Sequence, residues 1–161
     1  MKDSSEAGFR EFFLVEYPVI LSLMRVVLRD QQSAEDAVQE AFTSLFVHWK
    51  KVSRYEKPGA WVRKVALQEA GRTLRRRRRP PPMLSQAEAI ADPTANDIHA
   101  SLKTLSASQR AAVVLHYLEG RPVTEIAGIM RCSESTVKVH LYRARSRLAE
   151  ILDEEETDAA R

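Results

Sequence analysis

Residues 120–148 read GRPVTEIAGIMRCSESTVKVHLYRARSRL, two short helical patterns on either side of a tight turn. Val123, Ile126, Ala127 and Met130 recur at the i, i+3, i+4, i+7 spacing of a buried stripe and predict a first helix over 123–130. Ala127 is small where two crossing helices must approach closely. Arg131, Cys132 and Ser133 make the turn, and Ser133 can cap the next helix because its hydroxyl accepts from orphan amides of the following turn. From Glu134 onward, Val137, Leu141, Ala144 and Leu148 share one side, leaving Ser135, Thr136, Lys138, Val139, Tyr142, Arg143 and Arg145 to face outward. Hydroxyls and cations with few acids suit a DNA major groove, where side chains meet base edges and phosphates. The pattern is a helix-turn-helix; its bland alternative is an amphipathic helix whose charges are merely solvated.

The rest of the chain extends this helical grammar. Its 161 residues suffice for one ordinary domain or two small ones with modest cores. Seven prolines and five glycines are few, no segment alternates as a strand does, and apolar residues recur at helical spacing outside the middle. The fold class expected is all-α. Formal charge is only +3, yet residues 61–82 hold eight Arg or Lys against one acid, Glu69. Beside a helix-turn-helix, such a cluster fits phosphate binding with salt-dependent affinity. Arg75 to Arg79 taken alone fit a solvated helix end equally well.

Phe9 to Leu28 carries an apolar stripe interrupted by Pro18, which removes a helical hydrogen bond and predicts a break or kink. At Ser33-Ala34-Glu35-Asp36, Ser33 can cap while the acids sit at the positive end of the helix dipole. Ala34, Ala37, Val38, Ala41, Phe42, Leu45, Phe46 and Trp49 then form one stripe, opposite Glu35, Asp36, Gln39, Glu40 and Thr43. That acidic face is ill suited to DNA. It fits a protein partner, or serves solubility alone.

Lys50 to Pro58 reads as a polar, basic loop containing Tyr55, and Gly59-Ala60-Trp61 opens a helix that runs into the arginines. Cations interleaved with aromatics suit single-stranded DNA, because phosphates take cations and unstacked bases take aromatic faces. Trp61 as a plain core residue is an equal reading. Pro80-Pro81-Pro82 stops the helix, and small polar residues follow to Asn96, with Pro93 a further breaker. The expected organisation is a domain over 5–79, a flexible linker over 80–96, a helix-turn-helix domain over 97–152 and a frayed acidic tail over 153–161. Ser106-Ala107-Ser108-Gln109 has capping-box spacing, and Gly120 ends the helix it opens. Leu102, Leu105, Val113, Val114, Tyr117 and Leu118 should pack under the helix-turn-helix.

Taken in order, three motifs resemble the extracytoplasmic-function (ECF) sigma factors of the bacterial sigma-70 family over nearly the whole chain. They are Ser33-Ala34-Glu35-Asp36-Ala37-Val38-Gln39-Glu40-Ala41-Phe42, then Pro58 with Ala60-Trp61-Val62 before a basic helix, then Leu105 with Gln109-Arg110 and the Glu119-Gly120 helix-turn-helix. The resemblance implies two small helical domains like sigma regions 2 and 4, an adaptor for RNA polymerase and not an enzyme. It puts docking to the polymerase β′ coiled coil on Glu35, Asp36, Gln39 and Glu40, with β as a second contacted subunit. Recognition and melting of the minus-ten element fall on residues 50–57, among them Lys51, Arg54 and Tyr55, and on Trp61, Arg63, Lys64 and Arg72. Reading of the minus-thirty-five duplex falls on Thr136, Lys138, Val139, Tyr142 and Arg143, with Ser135, His140 and Arg145 beside them. An anti-sigma factor is a further partner that the family admits. Two departures bear on specificity: Gln68 and Arg72 stand where many relatives carry Asn and Asp, and Arg131 stands where many carry a turn glycine.

The competing class is a free-standing regulator using the same helix-turn-helix. Such regulators dimerise to match palindromic half-sites, whereas an ECF factor is expected to be a monomer when free. A nucleic-acid enzyme would need a catalytic constellation, and none is visible in the sequence. Cys132, the single cysteine, cannot form an internal disulfide, and four scattered histidines have no zinc spacing, so no metal or other cofactor is expected. With no signal-peptide pattern and no run of roughly 20 apolar residues, a cytoplasmic protein without membrane insertion is expected.

Overall fold

The computed structural model describes residues 2–78 and 97–160. The predicted linker over 80–96, with its proline run, and Arg79 before it lie outside the described residues. Seven α-helices follow in order: α1 (Lys2–Leu28), α2 (Gln31–Val52), α3 (Pro58–Arg78), α4 (Asp97–Leu102), α5 (Ala107–Val113), α6 (Val123–Met130) and α7 (Glu134–Ala159), with a π turn over Val114–Leu118 continuing α5. No strand occurs among the described residues, so the fold is all-α as expected. The chain divides into two compact units, one holding α1–α3 and the other α4, α5, most of α6 and α7.

In the first unit each helix packs on the other two. Ile20, Leu23, Met24 and Leu28 of α1, Val38 and Leu45 of α2 and Val62 of α3 are fully enclosed. A seam of rings closes one side: Phe9 meets Phe46 and Trp49 edge-on at 5.1 and 5.5 Å, and Phe13 meets Phe42 at 5.1 Å. The Trp49 indole donates to the Ser5 carbonyl at 2.9 Å. Aromatic pairs of this geometry add about 0.5–1.5 kcal/mol each beyond area burial. The α2 stripe is as the sequence predicts except at Phe46, which lies at the seam's rim and stays 59% exposed.

Two expectations are cut back here for physical reasons: the break at Pro18 and the Ser33 cap. α1 runs through Pro18 without a break. Pro18 and the Leu14 carbonyl it deprives lie on the exposed side, where water can serve that carbonyl, while packed residues from Ile20 onward hold the helix on course. The start of α2 lies earlier than a Ser33 cap would put it: Asp30 is the cap, accepting from the Ser33 amide at 2.9 Å. Arg29 takes the left-handed φ of 57° that turns the chain at this corner. Ser33 is free for another task, because its hydroxyl accepts from Arg77 Nη2 at 2.8 Å. The same guanidinium donates to the Leu28 carbonyl at 2.9 Å and pairs with Asp30 at 3.4 Å, tying the end of α3 to the α1–α2 corner. Hydrogen bonds from Ser33 and the charge of Arg77 hold the Asp30 carboxyl below its usual pKa.

The second unit is built from shorter pieces. Ser106 and Gln109 form the predicted capping box, each side chain bonded to the other's backbone amide at 3.1 Å. Leu105, Ala111, Ala112, Val114, Leu115, Ile126, Val137, Leu141 and Ala144 make the core. Gly120, at φ +65°, ends the helix as expected. The π turn was not legible: Glu119 N–H reaches back five residues to the Val114 carbonyl at 3.0 Å. One extra residue in the turn shifts the helical register, so Tyr117 and Leu118, expected in the core, are 52% and 77% exposed. The acidic tail also differs from expectation. Without a glycine or proline beyond residue 128, α7 continues to Ala159, so residues 153–159 are helical where a frayed tail was expected.

Candidate nucleic-acid interface

α6 and α7 are the helix-turn-helix. Ile126 and Ala127 are buried, Val123 and Met130 half-buried, and Cys132 N–H closes the turn on the Ala127 carbonyl at 3.1 Å. Arg131 adopts φ 55°, the left-handed backbone that a glycine would take freely and a side chain makes costly by about 1–2 kcal/mol. Ser133 caps α7, accepting from the Thr136 amide at 3.1 Å. Burial pushes the Cys132 thiol up, which suits a packed turn residue and not a reactive thiolate.

With Val137, Leu141 and Ala144 inward, α7 presents Ser135, Lys138, Val139, Tyr142, Arg143 and Arg145 exposed and Thr136 half-buried. Tyr142 is 66% exposed, an aromatic with no packing reason to be there. His140 lies on the flank of this face, and burial first, then the charge of Arg143, push its imidazole pKa down, favouring the neutral form. Arg145 Nη1 donates to the Tyr117 hydroxyl at 2.9 Å. The α6 entry is braced by Arg121, paired with Glu119 at 2.7 Å and with Glu125 one helical turn on. Burial would depress that guanidinium, but Glu119 and then Glu125 outweigh it and raise its pKa.

The basic residues of the first unit are not equivalent. Of the loop expected over residues 50–58, the first three residues belong to the end of α2 and Pro58 to α3: Lys51 is exposed in the last turn of α2, Arg54 and Tyr55 are exposed in the connection, and Ser53 caps α2. Pro58 at the first position of α3 starts the helix with its φ already set. Trp61 is half-buried, its ring 5.9 Å from that of His48. Lys64 is half-buried, and Arg72 is exposed and bonded to Glu69. Arg63 must be removed from the predicted DNA set: it is 2% exposed, paired with Glu16 at 2.7 Å and donating to the Gly59 carbonyl at 2.9 Å. A Cβ on residue 59 would lie 2.9 Å from the Arg63 guanidinium and 3.3 Å from Glu16, so glycine makes room for the pair. Nothing in local spacing distinguishes Arg63 from its neighbour Lys64; the signal is Glu16, 47 positions away.

On α2 the opposite chemistry appears. Asp36, Gln39 and Glu40 are exposed and Glu35 half-buried, on the side away from the buried stripe. Gln31 donates to Glu35 and Gln32 to Asp36, each at 3.0 Å, which orients these carboxylates while leaving their charge. No group of His, Cys, Asp and Glu suited to a metal ion occurs among the described residues, and no described helix is long and apolar enough to cross a membrane.

Comparison with known proteins gives a consistent family. The model of sigma-70 region 2 matches residues 13–80, and that of sigma-70, region 4, matches residues 95–148. The ECF RNA polymerase sigma factor SigM of Mycobacterium tuberculosis is 30% identical over 153 residues, covering 90% of this chain and 77% of its own length. The RNA polymerase sigma-E factor of Streptomyces avermitilis is 27% identical over 158 residues, covering 94% and 88%. Among solved structures, the sigma factor RpoE of Bartonella quintana, crystallised with the anti-sigma factor NepR, aligns with a TM-score of 0.74 at 24% identity over 91% of this chain and 97% of that one. At that identity the likeness speaks for the fold.

Proposed function

The chain belongs to the ECF group of the sigma-70 family, non-enzymatic factors that bind core RNA polymerase and direct promoter recognition and transcription initiation, and on that premise we propose how its surfaces share the work. The segment over 5–79 docks on polymerase and handles the minus-ten element; the segment over 97–152 reads the minus-thirty-five duplex; residues 80–96 join them. Glu35, Asp36, Gln39 and Glu40 of α2 meet the β′ subunit, with β as a second polymerase contact. Lys51, Arg54, Tyr55, Trp61, Lys64 and Arg72 engage the minus-ten strand, where cations hold phosphates and rings stack unpaired bases. Ser135, Thr136, Lys138, Val139, Tyr142, Arg143 and Arg145 engage the upstream duplex, phosphates fixing register and base edges supplying specificity.

One observation carries this division. The exposed acids of α2 and the exposed cations of α7 sit on different helices of different units, so a single chain offers one face repelled by DNA and another attracted to it. A regulator acting on duplex alone has no use for the first. No cofactor is required by such a mechanism, the free protein is a monomer in the cytoplasm, and an anti-sigma factor would act by covering the α2 face. Gel filtration with bacterial core RNA polymerase tests the reading. Co-elution at one factor per core is expected; a folded monomer that ignores active core overturns it in favour of a free-standing regulator.

A further inference from the structure

The π turn and the recognition helix meet at one hydrogen bond whose partners come from distant parts of the sequence. Tyr117 and Arg145 are 28 positions apart, and the Arg145 guanidinium donates to the Tyr117 hydroxyl at 2.9 Å. An uninterrupted α-helix through residue 118 would carry Tyr117 toward the core, as its spacing with Val113 and Val114 predicts. The five-residue reach of the π turn brings it out instead, while Val114 and Leu115 stay buried.

Tyr117 is itself braced. The His116 ring meets it edge-on at 4.8 Å, and His116 Nδ1 lies 3.2 Å from the Arg121 carbonyl. Arg121 in turn is clamped by Glu119 and Glu125. A phenol opposite Arg145 has a specific merit. It accepts one of the five guanidinium hydrogens and orders the side chain, yet it carries no charge to cancel that of the arginine. A carboxylate there would order Arg145 equally and neutralise it.

We propose that Tyr117 is a positioning residue: it preorients Arg145 so that the remaining guanidinium hydrogens meet a phosphate of the duplex read by α7. The inference rests on α7 being the duplex reader and adds to it a residue outside the helix-turn-helix. A free arginine loses much rotamer freedom on meeting a phosphate, and an arginine already held loses less.

The test uses the full chain with core polymerase and, as probe, a fluorescent duplex that the wild-type complex selects from a randomised pool. Tyr117→Phe removes only the acceptor. It is expected to weaken binding by about two- to tenfold, the cost of immobilising one long side chain anew. Arg145→Ala should lower the salt dependence by about one phosphate contact. Decisive is the combination: in the Arg145→Ala background, Tyr117→Phe is expected to add nothing. Thermal melting of each variant should match wild type. An unchanged affinity in Tyr117→Phe, or the same loss with and without Arg145, overturns the positioning role. Failure of the wild type to select any duplex overturns the reading of α7 itself, a distinguishable result.

Discussion

Arginine means something different on α3 and on α7. In the α1–α3 unit two arginines are engaged internally: Arg63 is buried against Glu16, and Arg77 ties three backbone and side-chain acceptors at the α1–α2 corner. On α7, Lys138 and Arg143 stand exposed without an ion pair among the described residues, and Arg145 bonds a neutral phenol. The same charge is architecture at Arg63 and Arg77 and, under the proposed reading, a DNA-facing tool at Arg143 and Arg145. Composition counts them alike; only long-range packing separates them.

The largest effect that could break this contrast is at Arg63. Its replacement by Ala strands Glu16 beside a core position, and loss of one partner of a buried pair costs about 3 kcal/mol or more. Urea unfolding should show that loss, and a near-neutral result would return Arg63 to the surface set. Arg143→Ala sharpens the other side: upstream duplex binding should fall by about 1–3 kcal/mol, read by fluorescence anisotropy, with the urea midpoint unmoved. A drop in stability of similar size would mean that α7 uses its cations structurally too.

A third prediction concerns pH. The folded pKa of Asp30 is lowered, so its contribution is fully present above the ordinary value near 3.8 and is lost as pH falls through the lower folded value. Asp30→Ala should therefore cost about 1 kcal/mol at pH 7 through loss of the cap, and the gap to wild type should narrow as the carboxylate is protonated in acid below its ordinary value of 3.8. A gap that persists there would assign the effect to packing. The smallest change is a gain: Arg131→Gly relieves the left-handed backbone against glycine's greater unfolded-state freedom, raising stability by about 0.5–1 kcal/mol in a thermal melt. A loss would show that the Arg131 side chain holds the turn.

What the sequence made legible was local. The α6 bounds, the start of α7, the Ser133 cap, the Ser106–Gln109 box, the Gly120 stop and the α2 stripe each depend on residues within a turn or two of one another. What it concealed depends on distant partners or on backbone register. Asp30 displaced Ser33 as cap in a corner completed by Arg77, 47 positions on; Pro18 was tolerated because of packing and of where its missing bond points. Tyr117 and Leu118 were misplaced because periodicity assumes 3.6 residues per turn, and the π turn uses more. At the candidate site the face of α7 was readable because one helix supplies it, whereas the standing of each cation on α3 was not.

The Arg77 clamp also has a mechanical meaning. Tension on the chain beyond residue 78 arrives first at the last turn of α3, which in an ordinary helix end would peel one hydrogen bond at a time. Here that turn is bolted to Leu28, Asp30 and Ser33, so the load passes into the corner between α1 and α2 and is shared by the whole three-helix unit. Under the proposed division of work, a factor pulled between two DNA elements has its grip on the first anchored to a three-helix body and not to a lone helix end.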